Sequence, residues 1–184
     1  LLLFASPLEA QLSPGALSKA HSTLEGPLGC TNCHAFGAGK PQLKCMSCHA
    51  EIRQRIADRR GYHSRIVDSS RGENDCARCH SEHAGRDFAL VRWPSTQSAF
   101  DHGLTGYPLE GKHATLECKQ CHTQAKIAPE GRGGIMVKDL DHTFLGLGKD
   151  CVFCHRDEHR GQLSTDCETC HSQSQWKPAS SFDH

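Results

Sequence analysis

Six copies of the pattern Cys-x-x-Cys-His constrain this chain more than any other feature. They run Cys30–His34, Cys45–His49, Cys76–His80, Cys118–His122, Cys151–His155 and Cys167–His171, and together they use all twelve cysteines. Any fold must therefore present six pairs of thiols, each followed at once by an imidazole.

Three chemistries compete for such pairs. Cys30, Cys33, Cys45 and Cys48 would satisfy a tetrathiolate zinc site, and so would Cys151, Cys154, Cys167 and Cys170. An even cysteine count in an exported chain also permits disulfides. The histidines decide between them. With 14 histidines in 184 residues, a chance histidine after all six pairs has a likelihood of roughly 10⁻⁷, and neither zinc nor disulfides require one. Covalent haem c does: the thiols become thioethers to the porphyrin, and the histidine ligates iron from below. The expectation is six haems c, attached at Cys30, Cys33, Cys45, Cys48, Cys76, Cys79, Cys118, Cys121, Cys151, Cys154, Cys167 and Cys170. Their proximal ligands are then His34, His49, His80, His122, His155 and His171.

Composition agrees. Hydrophobic residues are 36% of the chain, and setting the cysteines aside leaves about 29%, low for an ordinary globular core. Six rigid apolar porphyrins would supply the missing core, with the polypeptide as wrapping. The expected fold is thus mostly irregular with short α-helices, organised around stacked covalent haems, with little or no β-sheet. The 21 basic and 21 acidic side chains cancel, which gives no footprint for nucleic acid. Ionised propionates on six ferric haems would take the assembled protein to about −6.

At the N-terminus, Leu1-Leu2-Leu3-Phe4-Ala5 and the small residues after it read as the remnant of a secretory signal over residues 1–10. That implies export to the periplasm or beyond. Membrane association is expected only through a segment upstream of Leu1, because no run approaches the ~20 apolar residues of a span. Residues 11–184 form the hexahaem region. Within it, Ile52 and Ile56 at i, i+4 predict a short amphipathic helix over Glu51–Arg60, stopped by Gly61. Residues 126–138, with Pro129 and three glycines, read as a surface loop.

The chain also repeats itself. His21 precedes Cys30 by nine residues and His142 precedes Cys151 by nine, each opening a two-haem unit, about 21–49 and 142–171. Trp93-Pro94 leading to Phe100-Asp101-His102 recurs as Trp176-Lys177-Pro178 leading to Phe182-Asp183-His184. The first copy is followed by a haem motif and the second reaches the last residue, so the natural protein is expected to continue past His184. His83-Ala84-Gly85 and His159-Arg160-Gly161 follow two of the motifs in the same way.

Eight histidines lie outside the motifs. His184 can serve a haem of that continuation, which leaves His21, His63, His83, His102, His113, His142 and His159 as candidate distal ligands for six irons. Methionine, the ligand that raises potential, occurs only twice, as Met46 and Met136. The supply therefore matches bis-histidine ligation. His21, His102 and His142 stand upstream of motifs at repeated positions. His83 and His159 sit too close to His80 and His155 to reach across those haems, so each is expected to ligate a neighbour. His63 is expected to serve the first pair, and His113 competes with His102.

The six motifs, together with Phe100-Asp101-His102, Leu140-Asp141-His142 and Phe182-Asp183-His184, give the chain a resemblance to class III multihaem cytochromes c, the low-potential bis-histidine group, and most of all to their longer relatives. The resemblance covers His21 to His184. It implies closely stacked haems and electron transfer in the periplasm. The expected function is respiratory electron carriage without catalysis. Expected partners are other redox proteins: a quinol dehydrogenase, cytochromes, a terminal reductase or an outer-surface conduit. The alternative is a reductase of a small nitrogen or sulfur oxyanion, which would need one haem with a vacant position.

Overall fold

The structure is a computed structural model. It describes residues 15–182 apart from 38, 40, 133, 134, 136–139 and 180, with side chains for all of these but Glu130, Gly131 and His142. Residues 1–10, expected to be a signal remnant, and Met136, Asp183 and His184 lie outside the described residues.

Regular structure is confined to short pieces. Two two-residue strands, β1 (His34–Ala35) and β2 (Gln42–Leu43), pair antiparallel with His34 opposite Leu43. The α-helices are α1 (Cys30–Cys33), α2 (Cys45–Cys48), α3 (Ala50–Ala57), α4 (His63–Ile66), α5 (Cys118–Cys121) and α6 (Pro129–Arg132). Several 3-10 turns lie between them. The expected fold class, mostly irregular with short helices and almost no sheet, is the one observed.

The reason is visible in the burial. Among the described residues the buried hydrophobic side chains are Leu17, Ile127 and Ala128. Three such residues cannot offset the conformational entropy of ordering a chain of this length, which runs to more than about 1 kcal/mol per residue. Local hydrogen bonds and caps shape the backbone, and the large apolar body the fold needs lies outside the polypeptide.

The chain divides into two compact units, one holding the described residues up to Cys45 together with Val67–Pro94, the other Met46–Ile66 together with the described residues from Ser95 onward. The boundary falls inside motif two. In the first unit, residues 15–19 run beside 83–86: Gly85 donates to the Ala16 carbonyl at 3.0 Å and Lys19 to that of Arg86 at 3.2 Å. The Arg86 guanidinium also holds the Leu17 carbonyl and the Glu25 carboxylate. The 3-10 stretch Ser69–Arg78 carries Cys76. It is fastened by Asp75, which accepts from the Asp68 N–H and from Arg78, each at 2.9 Å. Asn74 receives the Leu43 N–H at 2.8 Å and so ties that stretch to the hairpin.

In the second unit α3 packs against α4. Helix α3 ends at Ala57, three residues before the expected limit. Arg60 donates to the Arg55 carbonyl and Arg59 to that of Ile56, with Arg59 at φ 55°. That is the Schellman closure, with Arg59 in the left-handed position usually given to glycine. Gly61 lies two residues too late to be the stop.

The surface loop expected at 126–138 is also only partly so. Ile127 bridges to Leu147, the Ala128 N–H donates to the Gly146 carbonyl at 3.0 Å, and α6 follows. Backbone pairing on both sides buries Ile127 and Ala128 to 3% exposure. The proline and glycines of this stretch begin only at Pro129, after the buried pair.

Candidate functional site

Each Cys-x-x-Cys folds as a single helical turn: α1, α2 and α5, the 3-10 stretch Ser69–Arg78, and the 3-10 turns Cys151–Phe153 and Cys167–Thr169. Residues i, i+3 and i+4 share a face of such a turn. In five of the motifs the turn is closed by the histidine N–H, which donates to the first cysteine carbonyl. The bond is 2.9 Å for His80, 2.8 Å for His122 and His155, and 2.9 Å for His171, and His34 makes the same bond to Cys30. Two thiols and an imidazole are thus aimed at one body. All twelve cysteines are unbridged.

The structure brings four motif histidines against four others. Ring centroids lie 6.4 Å apart for His34 and His83, 6.3 Å for His122 and His102, 6.0 Å for His155 and His113, and 6.0 Å for His171 and His159. These gaps fit a metal between the rings. Two metal–nitrogen bonds of about 2.0 Å, plus about 1.1 Å from each nitrogen to its ring centre, put the centroids roughly 6 Å apart. His83 thus stands beside His34 rather than the nearby His80, and His159 beside His171 rather than His155. His83 is held at φ 65°, a strained left-handed conformation of the sort found where side-chain aim matters.

Local sequence explains these positions. Asp101 caps the turn His102–Thr105 by accepting from the Gly103 N–H at 2.8 Å, which makes His102 its first residue. Gly15 accepts from His83 Nδ1 at 3.0 Å. Gln173 Oε1 accepts from His113 Nδ1 at 2.9 Å and from the Glu110 N–H at 3.0 Å. Gly111, at φ 50°, lets the backbone of Gln173 and Ser174 come close enough, since a Cβ there would collide with it.

Further partners hold four other rings. His80 Nδ1 donates to the Leu90 carbonyl at 2.8 Å and His171 Nδ1 to that of Trp176 at 2.7 Å. His49 Nδ1 lies 3.4 Å from the Glu51 carboxylate and His21 Nδ1 2.5 Å from that of Glu82. Burial by itself would raise Glu82, but the Ser18 N–H, His21 and the Ser18 hydroxyl outweigh it and hold the carboxyl below its usual range. His122 differs from all of these, because its Nδ1 is buried without a hydrogen-bond partner. Burial, then the facing His102 and Lys119, push its imidazole down to about 4. It is neutral at working pH, the form that binds metal.

The motifs also approach one another. The Cys45 thiol meets that of Cys76, and burial, with Cys76 adding to it, pushes Cys45 up to about 12. Cys151 meets Cys167 in the same way; burial and then Cys167 raise it. Half-buried Tyr107 stands by Cys151, Cys154 and Cys121; burial and then these neighbours raise its phenol. The Trp176 indole lies nearly parallel to the His171 ring at 4.3 Å and to the His155 ring at 5.6 Å. Glu82, Glu51, Tyr107 and Gln173 escape a reading of the sequence, where no spacing signals them. Trp176 does show there, as a repeated position.

The residues present fit covalent haem. A cavity of about 400 Å³ is lined by Cys167, Cys170, His171 and His159, with Arg156 and Lys177 as cations for propionates. Among the described residues no three His, Cys, Asp or Glu side chains converge as a bare metal ion would need. The imidazoles converge in twos, as they should where a macrocycle supplies the other four ligands. His21, His49, His63 and His80 are placed by the structure but belong to none of these four pairs. The side chain of His142 lies outside the described residues. No helix among them is long and apolar enough to cross a membrane.

Comparison with curated proteins found no match, nor did comparison with solved structures. Residues 107–172, which carry motifs four, five and six, match the family model for cytochrome c7 and related cytochrome c, and that stretch is accordingly similar to a multihaem, electron-carrying cytochrome with covalently bound haem c.

Proposed function

We propose that the whole chain is a six-haem c-type cytochrome that carries electrons along bis-histidine haems outside the cytoplasm. The observation that carries this is the set of four histidine pairs at 6.0 to 6.4 Å, each joining a motif histidine to one outside the motifs. When bound, haem supplies the one-electron chemistry. The polypeptide holds the axial imidazoles, closes the iron to substrate and sets each potential.

The remaining ligands follow within each unit, by elimination in the first and by the packing of elements in the second, where His142 is left over. In the first, pairing His34 with His83 leaves His21 for His80. Their elements meet through Glu82, which binds His21, and through a cavity of about 410 Å³ between Lys19 and Leu90, whose carbonyl receives His80. In the second, α3 begins just after His49 and packs on α4, which begins at His63, and these two ligate motif two. The thiol contacts Cys45–Cys76 and Cys151–Cys167 would make the haems of motifs two and three, and of five and six, neighbours between which electrons could pass. With no iron left open, the protein is a carrier and not an oxyanion reductase. Its place is respiratory, exchanging electrons with a quinol dehydrogenase, other cytochromes, a terminal reductase or an outer-surface conduit.

The test is electron paramagnetic resonance of the oxidised holoprotein, with carbon monoxide added to the reduced form. Six low-spin ferric haems and no stoichiometric carbon monoxide adduct are expected. A high-spin signal with one equivalent of carbon monoxide bound would turn the assignment to the reductase.

A further inference from the structure

The Nδ1 atoms of the axial histidines differ in what they touch, and this difference has an electronic consequence. A carboxylate accepting the Nδ1 proton draws imidazole toward imidazolate, strengthens its donation and favours ferric iron. A backbone carbonyl does this less, and an imidazole with no partner least. Most of the Nδ1 contacts here are neutral oxygens: Gly15 for His83, Leu90 for His80, Gln173 for His113 and Trp176 for His171. His122, half-buried, has none, and its Nδ1 is closed off from solvent. Among the described contacts Glu82 is the close carboxylate, 2.5 Å from His21, while Glu51 stands 3.4 Å from His49, at the limit of a hydrogen bond.

Glu82 is also held for the task. Its Oε2 takes the Ser18 N–H at 2.8 Å and its Oε1 the Ser18 hydroxyl at 2.9 Å. Ser18 is 2% exposed, so water does not compete for these bonds. The His21 ring is 31% exposed and Glu82 23%, which leaves the pair partly shielded and its interaction stronger than that of a surface ion pair.

We infer that Glu82 is a potential-setting residue: through His21 Nδ1 it makes the haem that His21 ligates the most reducing of the array, with the haem of His102 and His122 at the oxidising end. The inference rests on the ligation proposed for His21. It sets the two ends of the array apart in potential, with electrons favoured on the haem of motif four. Glu82 does not touch the iron; it acts through the imidazole.

The experiment uses the haem-loaded full chain in spectroelectrochemical titration, with paramagnetic resonance of the oxidised state. Glu82→Gln keeps an accepting oxygen and removes the charge; it should shift the lowest of six midpoint potentials upward, leave six low-spin haems and leave the other midpoints in place. Glu82→Asp should restore part of the shift. Glu25→Gln, which removes a carboxylate that binds Arg86 and the Leu17 N–H and feels the charge of His83 but not of His21, should leave the lowest midpoint unmoved. His21→Ala should convert one haem to high spin. If His21→Ala does so while Glu82→Gln moves no midpoint, the ligation stands and the inference falls. If His21→Ala leaves all six haems low-spin, His21 is no ligand, and both that assignment and the inference fall. An equal shift in Glu25→Gln would reduce Glu82 to general surface charge and would also overturn it.

Discussion

His83 shows how much one side chain is asked to do. It leaves the chain three residues after His80, sits at φ 65°, gives its Nδ1 proton to Gly15 and lies 6.4 Å from His34. Left-handed backbone costs a non-glycine residue about 1 kcal/mol, which the surrounding contacts must offset. Its replacement by alanine is expected to convert one haem equivalent from low to high spin and to create one carbon monoxide site, read by paramagnetic resonance and difference spectroscopy. Unchanged spectra would remove His83 from the ligand set. Nothing in the sequence around His83 points to His34. The spacing from His80 only says which haem it cannot reach.

Among the elements, the haem-binding turns are the most legible in sequence, because cysteines three apart with histidine next define one turn and its face. The connections are less so. The segment from Tyr107 to His113 works only because Gly111 lets residues 173–174 approach and Gln173 reach His113. Gly111→Ala would strain a positive φ and overlap backbone, so a loss of about 1–3 kcal/mol is expected. Thermal unfolding of the holoprotein should fall in step, and the spectrum of the haem proposed for His155 and His113 should broaden. A variant as stable as the parent with unaltered spectra would contradict this reading. The end of α3 teaches a related point. The pattern of Ile52 and Ile56 marks the helix, but its stop at Arg59 is a backbone closure that residue type does not announce.

At the level of the whole molecule, the polypeptide has almost no core of its own. Leu17, Ile127 and Ala128 are its buried hydrophobics among the described residues, while Phe36, Val152, Trp176 and Phe182 stand exposed. These are surfaces that porphyrins would cover. The chain produced without haem attachment is therefore expected to be largely unfolded by circular dichroism and quickly digested, and the haem-loaded form to resist both. A cooperative thermal transition in the haem-free chain would show that the polypeptide does hold itself together.

The sequence by itself determined the absence of regular layers and set the expectation for the attachment cysteines, the proximal histidines and the number of haems, because these follow from local spacing and composition. It also limited the distal ligands to a handful of histidines. Only the tertiary structure decided that His83 faces His34, that His113 faces His155, and that Glu82 backs His21 while His122 Nδ1 stands without a hydrogen-bond partner. Those relations join residues up to 61 positions apart. They depend on where short turns with little intrinsic preference come to rest, and such turns are placed by caps, left-handed residues and close backbone approaches, which no periodicity in the sequence records.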